Sequence, residues 1–285
     1  MSSRTSGAWG VASTAVQHCL VVMRAGEQQC NVALGSAPQV AHCLDAIRGA
    51  AIVQGEPDSG NKYSSVCALL QGNGGGYDVR CSAVLVSPTM LLTAAHCVGD
   101  FTYVSCDWTI SDKPTLYTTS AVEAHPLAND PSEGLKHDLA FIKLKKGITG
   151  TPLAPLPPQQ VLDDIRESGG FAPDGALTVV GYGRTQQILT PGAELPNNNR
   201  DRRFTPADFN RLTINRIEAS LSLQRGAGGS VCSGDSGGAV FYASTGLLAG
   251  ITIEADNICS KFAKAQRLDT SAARRWLAAQ GINLP

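Results

Sequence analysis

The sequence predicts an all-β protein of the sandwich or barrel type, and three observations carry that prediction. Its apolar residues fall in short runs, at 66–70, 82–86, 139–144, 177–180, 239–242 and 247–253, separated by Gly, Pro and Asn clusters. Glycine makes up 30 of the 285 residues, above the usual share of about 7%, which suits many tight turns. No apolar run reaches the ~18 residues of a spanning helix, and no internal repeat is present. Short strands punctuated by turns bury their apolar faces only by closing into a barrel or stacking in two layers.

Taken in order, residues 1–51 differ from the rest of the chain. The stretch 7–23 is mildly apolar but broken by Gln17 and His18, and only Arg4 precedes it as a basic residue. A secretory signal needs a basic start, an unbroken apolar stretch and a small-residue cleavage site, and Gly49-Ala50-Ala51 supplies the last of these. Residues 1–51 are therefore expected to be a leader or pro-segment, the alternatives being a wrongly assigned start codon, upstream of the true one, and an ordinary N-terminal extension. Residues 52–285 form the expected folded domain. Within it the segment 191–203, with three Asn and the run Arg200-Asp201-Arg202-Arg203, reads as a solvated polar loop rather than a nucleic-acid patch. The stretch 270–280 reads as a helix: Thr270 or Ser271 can cap it, Ala and Leu favour it, and Gly281 ends it.

Composition narrows the function. Apolar residues are 43% of the chain and charged ones 16%, against about 25% charged in ordinary domains, so material for a core is ample. The formal charge is −1, which gives no general pull toward phosphate backbones or anionic lipid. Nucleic-acid and membrane roles are not expected. Nine cysteines are present and none stands in a C-x-x-C pair, so the common zinc and thioredoxin spacings are absent. Six lie after residue 51, an even number that fits three bridges, although buried free thiols have the same composition.

Three segments carry groups that chemistry can use: LLTAAHC at 91–97, HDLAFIKL at 137–144 and SGDSGGAV at 233–240. A serine hydroxyl is a weak nucleophile at neutral pH. It needs an imidazole to take its proton and a carboxylate to hold the imidazole's tautomer and stabilise its cation. His96, Asp138 and Ser236 supply one group each, and Ser236 lies between Asp235 and two glycines, where the backbone can turn sharply. A second AHC at 41–43 lacks the apolar lead-in. The His18-Cys19 and His42-Cys43 pairs have no further ligands at standard metal spacing.

With these residues the chain resembles the chymotrypsin/trypsin family of serine proteases. The order His, Asp, Ser is that family's and not that of subtilisins or α/β-hydrolases, with separations of 42 and 98 residues, and the likeness extends over 52–285. The resemblance implies two six-stranded antiparallel β-barrels with the active site in the cleft between them and a C-terminal helix. It implies a secreted or periplasmic serine endopeptidase acting through an acyl-enzyme, with His96 as general base and then acid, Asp138 orienting it and Ser236 attacking. The N–H groups of Gly234 and Ser236 would form the oxyanion hole. Bridges Cys81–Cys97, Cys232–Cys259 and Cys67–Cys106 are implied by the likeness, as is activation by a cut before Ile52 whose new α-amine pairs with Asp235. No cofactor and no metal is implied; the partners are a protein or peptide substrate and a protein inhibitor, and the protein is expected to be a monomer.

Departures from the family pattern matter for activity and specificity. A Ser that commonly supports the catalytic Asp corresponds to Ile253, and the start I-V-G-G is here Ile52-Val53-Gln54-Gly55. The pocket-floor position falls on Ser230, where trypsin-type enzymes carry Asp, so an apolar or small residue before the scissile bond is expected. Ala263 in place of a wall Gly narrows the pocket, while Glu254 or Asp256 at its mouth could attract a cation. A catalytically silent binding protein on the same fold is the competing reading, and a metal-dependent hydrolase is disfavoured because no H-E-x-x-H is present.

Overall fold

The computed structural model describes residues 21–24, 27–30, 51–128, 130, 137–185, 199–221 and 229–285. Contacts divide the chain into two compact units, Met1–Arg48 and Gly49–Pro285. The first contains an antiparallel hairpin of β1 (Val21–Arg24) and β2 (Glu27–Cys30). The second holds two β-barrels.

Six strands form the first barrel: β4 (Val66–Gly72), β5 (Tyr77–Ser87), β6 (Met90–Thr93), β7 (Tyr103–Ser105), β8 (Thr119–Ala124) and β9 (Ala140–Leu144). They pair antiparallel in the order β7-β4-β5-β6-β9-β8. Tyr117, just before β8, exchanges two backbone hydrogen bonds with Val104 of β7, at 3.0 and 2.8 Å, which joins the two ends of the sheet. The second barrel comprises β10 (Leu177–Gly181), β11 (Arg203–Leu212), β12 (Arg216–Ser220), β13 (Ala239–Tyr242), β14 (Leu247–Ala255) and β15 (Phe262–Arg267). Its order is β10-β13-β14-β15-β12-β11, and β10 pairs again with β11. Closure removes the unpaired strand edges that would otherwise template aggregation. A two-residue strand, β3 (Glu56–Pro57), adds to β11 outside this ring.

Strand periodicity explains why the apolar runs are continuous rather than alternating. On β4, Val66, Ala68 and Leu70 enter one apolar cluster while Cys67 and Leu69 enter another. Both faces of the strand are therefore buried, and each fully buried Leu or Val is worth about 1.5–3 kcal/mol relative to exposure. The cluster holding Cys67 and Leu69 fills the first barrel with Leu85, Leu91 and Ile142. A second fills the other barrel with Val179, Ala219, Val240 and Ala249. The third joins the barrels, bringing Leu92 and Phe141 of the first together with Val180, Tyr182 and Ile251 of the second.

Two helices flank the barrels. The C-terminal helix α2 (Ser271–Ala279) lies where the sequence places it: Thr270 Oγ1 accepts the Ala273 N–H at 3.2 Å, and Leu277 is buried in the cluster between the barrels. The short helix α1 (Val161–Glu167) is not legible in the sequence, because two turns after a Pro-rich stretch leave no apolar period to read. No described helix is long and apolar enough to cross a membrane.

The reading of 191–203 as a solvated loop is corrected in its described part. Arg202 is fully buried. Its guanidinium donates to Asp58 Oδ2 at 2.7 Å, to the carbonyls of Val66 and Cys106, to the Tyr182 hydroxyl and to Asn61 Oδ1. Arg203 opens β11 and donates to the Gly55 carbonyl, and Arg200 pairs with Asp112 at 3.1 Å. The basic run is thus a buried clasp with one surface pair, not a charged patch. Residues 191–198 lie outside the described residues.

Candidate active site

His96 sits in a short turn, Ala95–Cys97, directly after β6. Leu91 and Leu92 are buried on opposite sides of that strand, and the Cys97–Cys81 bridge ties the turn to β5. These anchors hold the imidazole at a defined place while leaving its ring half exposed. Asp138 lies two residues before β9, which pairs with β6 through Thr93 and Ala140. The sheet register thereby delivers the carboxylate to the imidazole. Asp138 is buried, its Oδ1 accepts the His96 backbone N–H at 3.0 Å, and its Oδ2 lies 2.7 Å from His96 Nδ1. With Nδ1–H donating to the carboxylate, Nε2 is left as the acceptor. The hydrogen bond to Asp138 raises the His96 pKa above its ordinary 6.5, against the lowering effect of partial burial.

The segment carrying Ser236 is a tight turn stitched by its own backbone. Asp235 N–H donates to Cys232 O and Gly238 N–H to Asp235 O. Gly237 N–H donates to Thr252 O, and Thr252 N–H donates to Gly238 O, which fastens the turn to β14. Gly234 adopts φ 98°, which glycine reaches without steric cost, and a Cβ on Gly237 would run into the Ser82 carbonyl. The Ser236 carbonyl accepts the Ser82 N–H at 2.8 Å. Among the described residues the structure brings His96 and Asp138 into contact, while a hydrogen bond from the Ser236 hydroxyl to the imidazole is not formed. Such contacts commonly tighten only when substrate is bound.

Asp235 is fully buried, and its two oxygens accept N–H groups from Gly183 at 2.7 Å and Cys232 at 2.9 Å. Burial pushes its carboxyl up to about 7, offset in part by those two donors. Ile52 is also fully enclosed, but its nitrogen is still part of the Ala51–Ile52 peptide, and among the described residues no hydrogen bond joins it to Asp235. The carbonyl of Val53, next to it, accepts the Ser230 N–H at 2.9 Å.

Ser230 is fully buried and its hydroxyl has no partner among the described residues. Around it lie Val231 and the Cys232–Cys259 bridge, and Ala263 faces Ala255 across β14 and β15. Both acidic residues expected at the pocket mouth already have partners. Glu254 pairs with Lys264 Nζ at 2.7 Å. Asp256 is consumed by its own loop, accepting N–H groups from Ser260, Lys261 and Phe262. Burial pushes its carboxyl up, but these donors outweigh that and hold it below the usual range. Ile253, at the place of a supporting hydroxyl, is buried in the apolar cluster that contains Ala94 and Cys97, beside the histidine turn. The remaining bridge, Cys67–Cys106, joins β4 to the segment after β7.

Sequence reasoning missed Ser82 and Thr93, which pack the Ser236 turn against the first barrel; Ser82 N–H donates to Ser236 O and Thr93 Oγ1 donates to the Ser82 carbonyl, both at 2.8 Å. The available signal was a hydroxyl inside each of two apolar runs, since a buried polar side chain is the informative exception in a core.

With that geometry in place, comparison with known proteins is consistent. A family model described as Trypsin matches residues 52–269. A curated protein named Trypsin, from Saccharopolyspora erythraea, is 27% identical over 198 residues, covering 66% of this chain and 80% of that protein.

Proposed function

The chain belongs to the trypsin family, and on that footing we propose that it is a secreted serine endopeptidase with His96, Asp138 and Ser236 as its catalytic residues. The observation that carries this reading is the paired contact of Asp138 with the backbone and ring nitrogens of His96. It sets the tautomer in which Nε2 can take a proton. Ser236 Oγ attacks the scissile carbonyl carbon as its proton passes to Nε2, and the oxyanion so formed is held by the N–H groups of Gly234 and Ser236. Collapse of that intermediate expels the amine, which leaves with the proton returned from the imidazolium. Water then hydrolyses the acyl-enzyme by the same route.

Residues 1–51 serve as the leader or pro-segment, and a cut before Ile52 frees an α-amine for Asp235. A fully buried carboxylate with two N–H donors and, among the described residues, no cation partner supports that assignment. The three bridges favour an oxidising, extracytoplasmic setting. Specificity is for an uncharged residue, apolar or small, before the scissile bond, because Ser230 brings no charge and Glu254 and Asp256 are already engaged.

Fluorophosphonate labelling of the purified protein after the cut before Ile52, with peptide mapping of the adduct, tests the reading. The label should attach to Ser236 and disappear in Ser236→Ala together with nearly all peptidase activity. Labelling that persists in Ser236→Ala would refute it.

A further inference from the structure

The proposed oxyanion donors are the N–H groups of Gly234 and Ser236, and the carbonyls of both residues are held by one residue of the other barrel. Ser82 Oγ donates to Gly234 O at 2.8 Å, and Ser82 N–H donates to Ser236 O at 2.8 Å. The same hydroxyl accepts the Tyr182 N–H at 3.0 Å, so both its donor and an acceptor site are used. Ser82 has no exposed surface, and its own carbonyl is fixed by Thr93 Oγ1. We propose that Ser82 is a positioning residue for the oxyanion hole, aligning its two donors from the first barrel. This rests on the reading of Ser236 as the nucleophile.

The physical reason lies in Gly234. It has no side chain to limit rotation about its backbone, so the direction of its N–H depends on what its neighbouring peptide groups are bonded to. The Ser82 hydroxyl closes one of those options. Behind it stands a rigid support: Tyr182 continues to Asp107 O through its hydroxyl at 2.6 Å and to the buried Arg202 at 3.1 Å, which is itself paired with Asp58. A continuous line of buried hydrogen bonds therefore runs from Asp58 through Arg202, Tyr182 and Ser82 to the nucleophile turn. Preorganised donors stabilise developing charge because they need no reorientation during the reaction, and buried, fully satisfied networks of this kind rigidify what they touch.

The test compares the purified protein, cut before Ile52 and checked by N-terminal sequencing, with its Ser82→Ala, Ser82→Gly and Ser82→Thr forms cut in the same way, following fluorophosphonate labelling to its plateau and measuring kcat and KM on one peptide. The plateau counts folded sites, and the rate constant per labelled site reads their competence. Ser82→Ala should keep its plateau while the labelling rate and kcat per site fall about 10- to 100-fold, less than the roughly 10²–10³ lost with a donor itself. KM should stay within about twofold. Ser82→Gly, which removes the same hydroxyl without adding bulk, should fall in the same direction, and Ser82→Thr, which keeps it, should recover most of the rate. A loss confined to the plateau, or equal rates per site in all forms, would overturn the proposal and leave Ser236 standing. An unlabelled Ser236 in the parent protein would instead overturn the nucleophile assignment, and this proposal with it.

Discussion

At the scale of single residues, the Asp138–His96 contact does two jobs that separate experimentally. It orients the ring, and it makes the protonated ring more stable. Asp138→Asn keeps the shape but favours the wrong tautomer, so kcat should fall by about 10⁴-fold with the fold intact by circular dichroism. The second job appears in pH dependence. The hydrogen bond to Asp138 raises the His96 pKa, and catalysis needs the neutral ring. The acid limb of kcat/KM should therefore lie above pH 6.5, and it should shift down in Asp138→Asn. Stability runs the other way: the favourable pairing of charged His96 is fully present below the unfolded value near 6.5 and is lost as pH rises through the raised folded one.

At the scale of elements, the strands are legible in the sequence because their runs are apolar on both faces, as at 66–70, and the helix at 270–280 because its cap and stop residues are local. What the sequence hides is decided by long-range partners. Arg202 looks like a surface charge in sequence, and only the return of β11 beside residue 58 reveals its 2.7 Å partner, Asp58. Likewise the Glu254–Lys264 pair depends on the β14–β15 register, and Ser82 acquires its role from a turn 152 residues away. In the candidate site the three segments that carry His96, Asp138 and Ser236 are readable from local motifs, while the support around them is not. Arg202→Ala should destabilise the protein by about 3–5 kcal/mol, since it strands a buried carboxylate; urea unfolding of the Ser236→Ala background, where self-digestion is absent, would measure it. Opening the Cys232–Cys259 bridge by Cys→Ser at both positions should cost about 2–5 kcal/mol in the same assay.

At the scale of the whole molecule, the buried Asp235 makes stability depend on pH, and under the proposed activation it would link protonation to chain cleavage. While the chain is uncut, its carboxyl is pushed up to about 7 by burial. Between roughly pH 4 and 7 the folded chain therefore keeps a proton that the unfolded chain has released, and stability falls as pH rises across that window. Urea midpoints of the uncut Ser236→Ala protein should decline from about pH 5 to about pH 7, and in Asp235→Asn the decline below about pH 6 should vanish, leaving only the part that His96 contributes above it. In the proposed cleaved form the α-amine, ordinarily near 7.7–8.0, gains a carboxylate partner and a raised pKa. Its contribution is present at neutral pH and is lost as pH climbs through that raised value, so activity should fade on the alkaline side. Ile52 adds something further. A β-branched residue at φ 34° holds about 1–3 kcal/mol of backbone strain, which arises from the carbonyl before it. The proposed cut before Ile52 would detach that carbonyl, so the strain would be discharged at the moment of conversion and rejoining the ends would have to restore it. Under that proposal the segment is a cocked spring behind a closed door: Ile52 has no exposed surface, so a cutting enzyme would have to wait for it to open, and once released it would have no easy way back.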